Sequence, residues 1–377
     1  MSVANIASAR RLTAAARRHA GHLGFEDSAL SGLAACAVQA NIFAEPEVLA
    51  TSFGHLASPG WRLIEAREAV RLVGAVAIDT ASGRYGPLGG PLSLARHPMH
   101  MCCEPLLARG ATNAAETLLD AIAAETGSLA LFCPFLPEGS AFHQAAMQRG
   151  AIVTHRLERA AIDTELSGEA YLRTALGRFR LKELKRLRRK LAEEHLLESR
   201  AVSGTEALGR SLADFFQIEA SGWKGRAGSA LINRPEQRAF FEMAVTRLAG
   251  EDRARIDALY ADGAMIAAVV SIRDAERWYP WKMGQEESFG KFSPGALVLE
   301  DLTRRLLGDG GRQVRLDSLA DPGHQLAERI WTERRAFVDC VVPLNDGISG
   351  RLAMRMVAAL EDARKSAAAQ YRRLRKR

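Results

Sequence analysis

The chain has 377 residues, 47% hydrophobic and 25% charged, the balance of a globular protein with room for two ordinary domains. A net charge of +7 suits phosphate-rich ligands, nucleic acid or an anionic membrane surface, without choosing among them. No window approaches the roughly 20 apolar residues of a membrane span, and five cysteines without a CxxC point away from a disulfide framework or a zinc site and toward a reducing, cytoplasmic setting.

In chain order, Met1 to Ala20 is Ala/Arg-rich and lacks the apolar core of a secretory signal. It reads as a loose helix within a loosely ordered segment, 1–40. Arg62 to Asp79 (RLIEAREAVRLVGAVAID) reads as two alternating strands about a short polar turn. Gly89-Gly90-Pro91 is a turn, too short for a dinucleotide fingerprint. Ala111 to Glu125 has helical spacing and leads into a strand, Leu129 to Cys133. A helix with His143-Gln144 near its start follows, then a strand from Ile152 to Ile162.

Tyr171 to His195 reads as a helix with Leu184, Leu187 and Leu191 in a stripe, continued upstream by Leu176 and Phe179, and with basic residues on its other faces. Glu206 to Glu219 is a second helix with Leu208, Leu212, Phe215 and Phe216 on one side. Arg255 to Asp274 then repeats the hairpin pattern around Asp262-Gly263, a strong turn signal because Gly tolerates positive φ. Strand Trp278 to Met283 alternates, which predicts Trp278, Pro280 and Lys282 on one face and Tyr279, Trp281 and Met283 on the other.

Gly295 to Leu307 is helical through Leu297, Leu299, Leu302 and Leu306 and leads into a strand, Gln313 to Leu316. His324-Gln325 opens another helix, Ala336 to Val342 closes as a strand, and Leu352 to Arg377 is an increasingly basic helix. The two series correspond at an offset of roughly 180 to 195 residues, the size of a domain rather than a solenoid repeat. Two copies of one mixed α/β unit are therefore expected, at 41–166 and 167–345, with a basic tail at 346–377.

Three stretches carry a resemblance. They are the basic helix ending Lys185-Arg186-Leu187-Arg188-Arg189-Lys190-Leu191; Ser221-Gly222-Trp223-Lys224-Gly225 with Gly228-Ser229-Ala230-Leu231 and Phe240-Phe241; and Lys282 followed by Ser293-Pro294-Gly295. In this order they resemble the GNAT acetyltransferase superfamily, in its Fem-like branch associated with bacterial cellulose and exopolysaccharide biosynthesis. The match covers about residues 170 to 345, and the first half matches more loosely through Glu45-Pro46-Glu47.

The resemblance implies an α/β fold of tandem GNAT-like halves, each a mixed sheet flanked by helices. It also implies a V-shaped split between neighbouring strands that holds acetyl-CoA or another acyl-CoA as co-substrate, with no metal. Ser293, Pro294, Gly295 and Ala296 would form the phosphate-binding helix start, where N–H groups are unpaired and the helix dipole is positive. Read alone, they are also an ordinary capped helix start. Lys282 would meet donor phosphates or the acceptor, or else be a strand-edge lysine. Trp223, Lys224 and Tyr279 would contact the acceptor, and Trp223-Lys224-Gly225 equally reads as a packed helix end. Glu286, Asp317 and His324 are the candidate bases. Where relatives carry Tyr-Asp, this chain has Gln285-Glu286, which keeps a carboxylate and removes a phenol. The first half lacks counterparts of these motifs and is expected to have lost cofactor binding and to shape the acceptor cleft.

The acceptor expected is an amine or hydroxyl of a sugar, cell-envelope precursor or small metabolite. Two other readings stay open: a Fem-type transferase using aminoacyl-tRNA, and a non-catalytic accessory protein with partners in a polysaccharide-synthesis system. No DNA-recognition motif is present. GxSxG, Walker A and HExxH motifs are absent as well.

Overall fold

In the computed structural model, which describes residues 12–17, 28–81, 91–111 and 113–374, the chain divides into two units. One comprises Met1–Arg156 and Phe337–Arg377, the other Leu157–Ala336. The Gly89-Gly90 turn, most of the segment before Ser28, and Arg375 to Arg377 lie outside the described residues.

The first unit runs β1 (Leu12–Arg17), α1 (Ser28–Ala35), α2 (Pro46–His55), β2 (Trp61–Glu68), β3 (Arg71–Asp79), β4 (Ser93–Leu94), β5 (Leu106–Leu107), α3 (Ala114–Thr126), β6 (Ala130–Pro137) and α4 (Ala141–Gln148). β7 (Ile152–Thr164) leads into the second unit: α5 (Gly168–Glu194), β8 (Leu197–Val202), α6 (Thr205–Ser221), the single turn α7 (Trp223–Arg226), α8 (Pro235–Ala249), β9 (Ala254–Ala261), β10 (Ala264–Arg273), β11 (Trp278–Gln285), α9 (Pro294–Leu307), β12 (Val314–Asp317) and α10 (Gln325–Ile330). β13 (Glu333–Pro343) and α11 (Ile348–Leu374) return to the first unit from Phe337 onward.

The two units repeat one strand plan. In the first the order is β1-β2-β3-β4-β6-β13, with β5 also on β3; in the second it is β7-β12-β11-β10-β9-β8. Each is antiparallel except at one place, β4 beside β6 and β11 beside β12, where the pairing is parallel. Both hairpins turn in two residues. Asp262 (φ 52°) and Gly263 (φ 82°) are left-handed, the geometry that matches strand twist. The mixed α/β architecture of two sheet-and-helix units expected from the sequence is thus present.

Three expectations are corrected. The boundaries at 41–166 and 167–345 keep each closing strand with its own half, whereas β13 pairs with β6 from Phe337↔Pro137 to Pro343↔Ala130, and β7 pairs with β12 from Thr164↔Val314 to Ala161↔Asp317. An antiparallel strand from either copy satisfies the same open edge, so local pattern does not distinguish them. Residues 12–17 are not helical; they pair with β2, Leu12↔Glu68 through Arg17↔Leu63. Phe179 leaves the α5 stripe and is 89% exposed, because Gly177 (φ 67°, ψ 170°) breaks the helix one residue after Leu176 and resets its phase.

In the second unit, α5 and α9 cover one face of the sheet. Leu184, Leu191, Leu297, Leu302 and Leu306 meet Leu259, Ala267 and Val269 there, and Arg188 clasps Asp301 at 2.7 Å. α8 and α6 hold an aromatic group in which Trp281 lies 4.9 Å from Phe241 and 5.5 Å from Phe240, ring centre to ring centre.

Candidate functional site

The site begins with a strand that loses its neighbour. β12 pairs with β11 only at Trp278↔Leu316, while β11 continues to Gln285. Past that pair the strands diverge and enclose a cavity of about 560 Å³. β11 forms one wall, the Gly222–Lys224 corner a second, and Ser318 to Asp321 with His324 a third.

β11 does not alternate as predicted. Pro280 pairs with Ser271 and Lys282 with Val270, so Trp281 is an extra, bulged residue. Across the bulge the faces exchange: Lys282 joins Tyr279, and Met283 joins Trp278 against the α5–α9 core. Strand periodicity cannot foresee a bulge, though Pro280, which cannot donate to a ladder, is its local mark.

Lys282 lines the cavity. Burial holds its ammonium below the usual lysine range, Glu219 opposes that shift, and Lys224 and Arg234 reinforce it. Among the described residues its Nζ has no hydrogen-bond or ion-pair partner. Lys224 is committed: its Nζ donates to Glu219 Oε1 at 3.2 Å and to Met283 O at 2.8 Å. Glu219, 3% exposed, also accepts the Leu231 N–H at 2.9 Å. The sequence reading passed over Glu219. Its signal is an acid in register with the buried Leu212 and Phe215 positions of α6.

The Trp223-Lys224-Gly225 corner is fixed by packing and charge. A Cβ at Gly225 would fall 1.9 Å from Ala220 O, so only glycine lets the chain turn here. Glu287 accepts the Trp223 N–H at 2.9 Å and binds Arg226 at 2.8 Å. Trp223 itself is 64% exposed at the cavity wall.

The other candidates separate. His324 lines the cavity and caps α10, its Nδ1 accepting the Ala327 N–H at 3.3 Å. Asp321 lines the cavity too. Asp317 does not; it is fully buried and ion-paired with Arg335 at 2.9 Å and Arg159 at 3.8 Å. Glu286 caps the turn after β11, accepting the Ser288 N–H at 3.3 Å. The Tyr279 hydroxyl is buried and donates to Asp274 at 2.7 Å.

Ser293 to Ala296 begin α9 as expected, with Pro294 at its first position and Ser293 left-handed (φ 51°). The Gly295 N–H is already bound, donating to Gln285 Oε1 at 3.1 Å. Ser293 and Ala296 face a second cavity of about 260 Å³ with Arg180 and Arg329.

In the first unit the matching place is β4 beside β6, paired only at Ser93↔Phe132. There the stretch Cys102 to Glu104 lies across the opening. The Cys103 N–H donates to Phe135 O at 3.3 Å, and only about 30 Å³ remains among residues that include Ala95, His100, Cys102 and Glu104. Among the described residues no group of His, Cys, Asp and Glu is arranged to hold a metal ion.

Residues 178–321 match a family model described as an acetyltransferase (GNAT) domain. No curated protein matches the chain in sequence. Among solved structures it is similar to FemX, with 10% identity, 84% of this chain and 96% of that one covered, and a TM-score of 0.56. It is similar to L-PGS from Bacillus licheniformis, with 10% identity, 89% and 97% covered, and a TM-score of 0.53. A tandem GNAT protein from the clavulanic acid biosynthesis pathway shares 14% identity over 89% and 99% of the two chains, with a TM-score of 0.47. At 10% identity the FemX and L-PGS matches are likenesses of fold. The fold is thus a mixed α/β architecture of two units that repeat one strand plan, and the residues that match the acetyltransferase (GNAT) domain model lie in the second.

Proposed function

We propose that the protein is an acyltransferase that carries an acyl group, acetyl in the simplest case, from an acyl-CoA to an amine or hydroxyl. The acceptor would be a sugar, a cell-envelope precursor or a small metabolite. The observation that carries this reading is the open split beside β11. An extended thioester arm needs a slot along a strand whose edge has no neighbouring strand, and β11 offers such an edge from Tyr279 to Gln285. Lys282 fits a negatively charged partner in that slot, because a half-buried ammonium with no directly bonded counter-ion gains most from one.

The reaction asks little of the protein. The nucleophile attacks the acyl carbon, the carbon–sulfur bond breaks, and the proton lost by the nucleophile goes to a base as the thiolate leaves. Among the described lining residues Asp321 is the carboxylate no cation engages: Glu219 is held by Lys224 and Glu287 by Arg226. Asp321 is the residue we assign to take the proton. His324 accepts a backbone N–H at Nδ1, so its neutral tautomer presents Nε2–H, a donor suited to the departing thiolate. Asp317 and Glu286 are occupied in holding β12 and the turn after β11.

A melting experiment tests the proposal. Acetyl-CoA at a hundred times its Kd should stabilise the chain by about 2.7 kcal/mol, and Lys282→Ala should reduce the shift. If no acyl-CoA raises the melting temperature, the donor assignment fails. The rival donor, an aminoacyl-tRNA, draws on the basic run of α5. Arg188 and Arg186 there are bound by Asp301 and Glu183, which leaves less of that charge for RNA. Salt-sensitive retention of tRNA without any acyl-CoA shift would favour that donor. Silence toward both, with site substitutions without effect, would favour an accessory role.

A further inference from the structure

α11 has two apolar faces, and the first unit covers one of them. Met354 and Ala358, both buried, pack on Ala130, Phe132 and Val341. On the same side Lys365 binds Asp339 at 3.0 Å, and Arg364 reaches the buried Glu361 at 3.3 Å. The opposite face carries Ile348, Leu352, Met356 and Leu360, which are 82%, 57%, 60% and 50% exposed. They stand four residues apart, so they line up along the helix, with the exposed Ala359 and Ala363 between their rows. Together they span an arc of about 120°. Single exposed apolar side chains are ordinary, whereas an aligned row of four large ones marks an interaction surface.

Charge says what the row meets. Arg351 and Arg355 border it, both exposed and, among the described residues, without a side-chain hydrogen bond or ion pair. Residues 348–377 carry nine Lys and Arg against Glu361 and Asp362, and Glu361 is turned inward. A second copy laid on this face would bring two strongly basic helices together. A surface of anionic headgroups neutralises them and takes up the apolar row. No helix among the described residues is long and apolar enough to cross a membrane, so the geometry is that of a helix lying on one.

We propose that the outer face of α11 docks on an anionic phospholipid surface. Ile348, Leu352, Met356 and Leu360 enter the boundary between headgroups and acyl chains, and Arg351 and Arg355 pair with lipid phosphates. The inference stands apart from the acyl-transfer reading, since α11 contributes nothing to the cavity in the second unit.

The test is flotation of the full chain with vesicles of phosphatidylglycerol and phosphatidylcholine in equal parts, beside vesicles of phosphatidylcholine alone. The protein should float with the first, much less with the second, and less as salt rises. Arg351→Gln with Arg355→Gln should lower the partition coefficient on the order of 30-fold. Leu352→Ser with Met356→Ser should abolish flotation while leaving the melting temperature unchanged, because neither side chain packs inside. Protein that stays in solution with anionic vesicles, or serine variants that float as well as the wild type, overturns the proposal. A wild-type dimer in light scattering that ignores vesicles and becomes monomeric in the serine variant overturns it too, and assigns the face to a second copy.

Discussion

Gln285, at the end of β11, closes the start of α9 by accepting the Gly295 N–H at 3.1 Å. The side-chain oxygen sits where an anion at this helix start would place one of its own. A donor phosphate using that N–H must displace a neutral amide. Gln285→Ala should therefore tighten acyl-CoA binding while costing about 1 kcal/mol of stability through the lost hydrogen bond. Gln285→Glu, which sets a fixed carboxylate there, should weaken binding by about tenfold or more. Titration calorimetry on the two variants checks both signs; equal affinities would mean that the phosphates do not approach Gly295.

Lys282 trades stability for binding. Burial lowers its pKa, so below that value the folded chain holds a proton at a cost the unfolded chain does not bear. The penalty is present at neutral pH and is relieved as pH rises from the lowered value toward the ordinary lysine range. Lys282→Met should stabilise the protein at neutral pH by about 1 kcal/mol, the usual size when a functional compromise is removed, and should flatten the rise in stability at alkaline pH. The same variant should lose affinity for acyl-CoA. Urea unfolding at several pH values, paired with calorimetry, reads both.

Much of this arrangement was legible in the sequence, for reasons that mark where legibility stops. The β9–β10 hairpin, the α9 helix with its leucines and the α6 stripe are set by residues close in sequence, and Asp262-Gly263, Pro294 and the four-residue rhythm declare them. Lys282, Trp223, Lys224 and His324 do come together at one cavity. Missed features depend on partners far along the chain. The exchange of β7 and β13 follows from which edge each strand finds, the bulge at Trp281 from the fit to β10, and the buried Glu219 from Lys224 and Leu231. Tyr279 and Asp317, plausible by residue type, prove to be tied to Asp274 and Arg335.

Asp317 should therefore behave as part of the framework. Asp317→Ala leaves Arg335 without its buried carboxylate and should cost about 3–5 kcal/mol of stability. Activity per folded molecule, measured below the variant's melting temperature, should fall far less than in Asp321→Asn. A greater loss in Asp317→Ala at unchanged stability would restore Asp317 as a base.

The first unit should be acid-sensitive through His100. Burial first, and His97 second, push its pKa down to about 3, while the unfolded chain titrates near 6.5. Between these values the unfolded chain binds a proton that the folded chain does not, so stability falls as pH drops, at about 1.4 kcal/mol per pH unit. His100 also meets the Ser52 hydroxyl at 2.6 Å. His100→Gln should lower stability at pH 7 and lessen the acid slope by about one proton, which unfolding curves from pH 7 to pH 4 will register.

The central claim is that the split between β11 and β12 holds the acyl donor. Titration calorimetry of acetyl-CoA into the wild type and into Ala320→Trp, which fills the cavity from the β12 side, tests it most directly. The account predicts one site per chain in the wild type and none in the variant, with the variant still melting cooperatively. A wild type that takes up no acyl-CoA, or an Ala320→Trp variant that binds as tightly as the wild type, contradicts it.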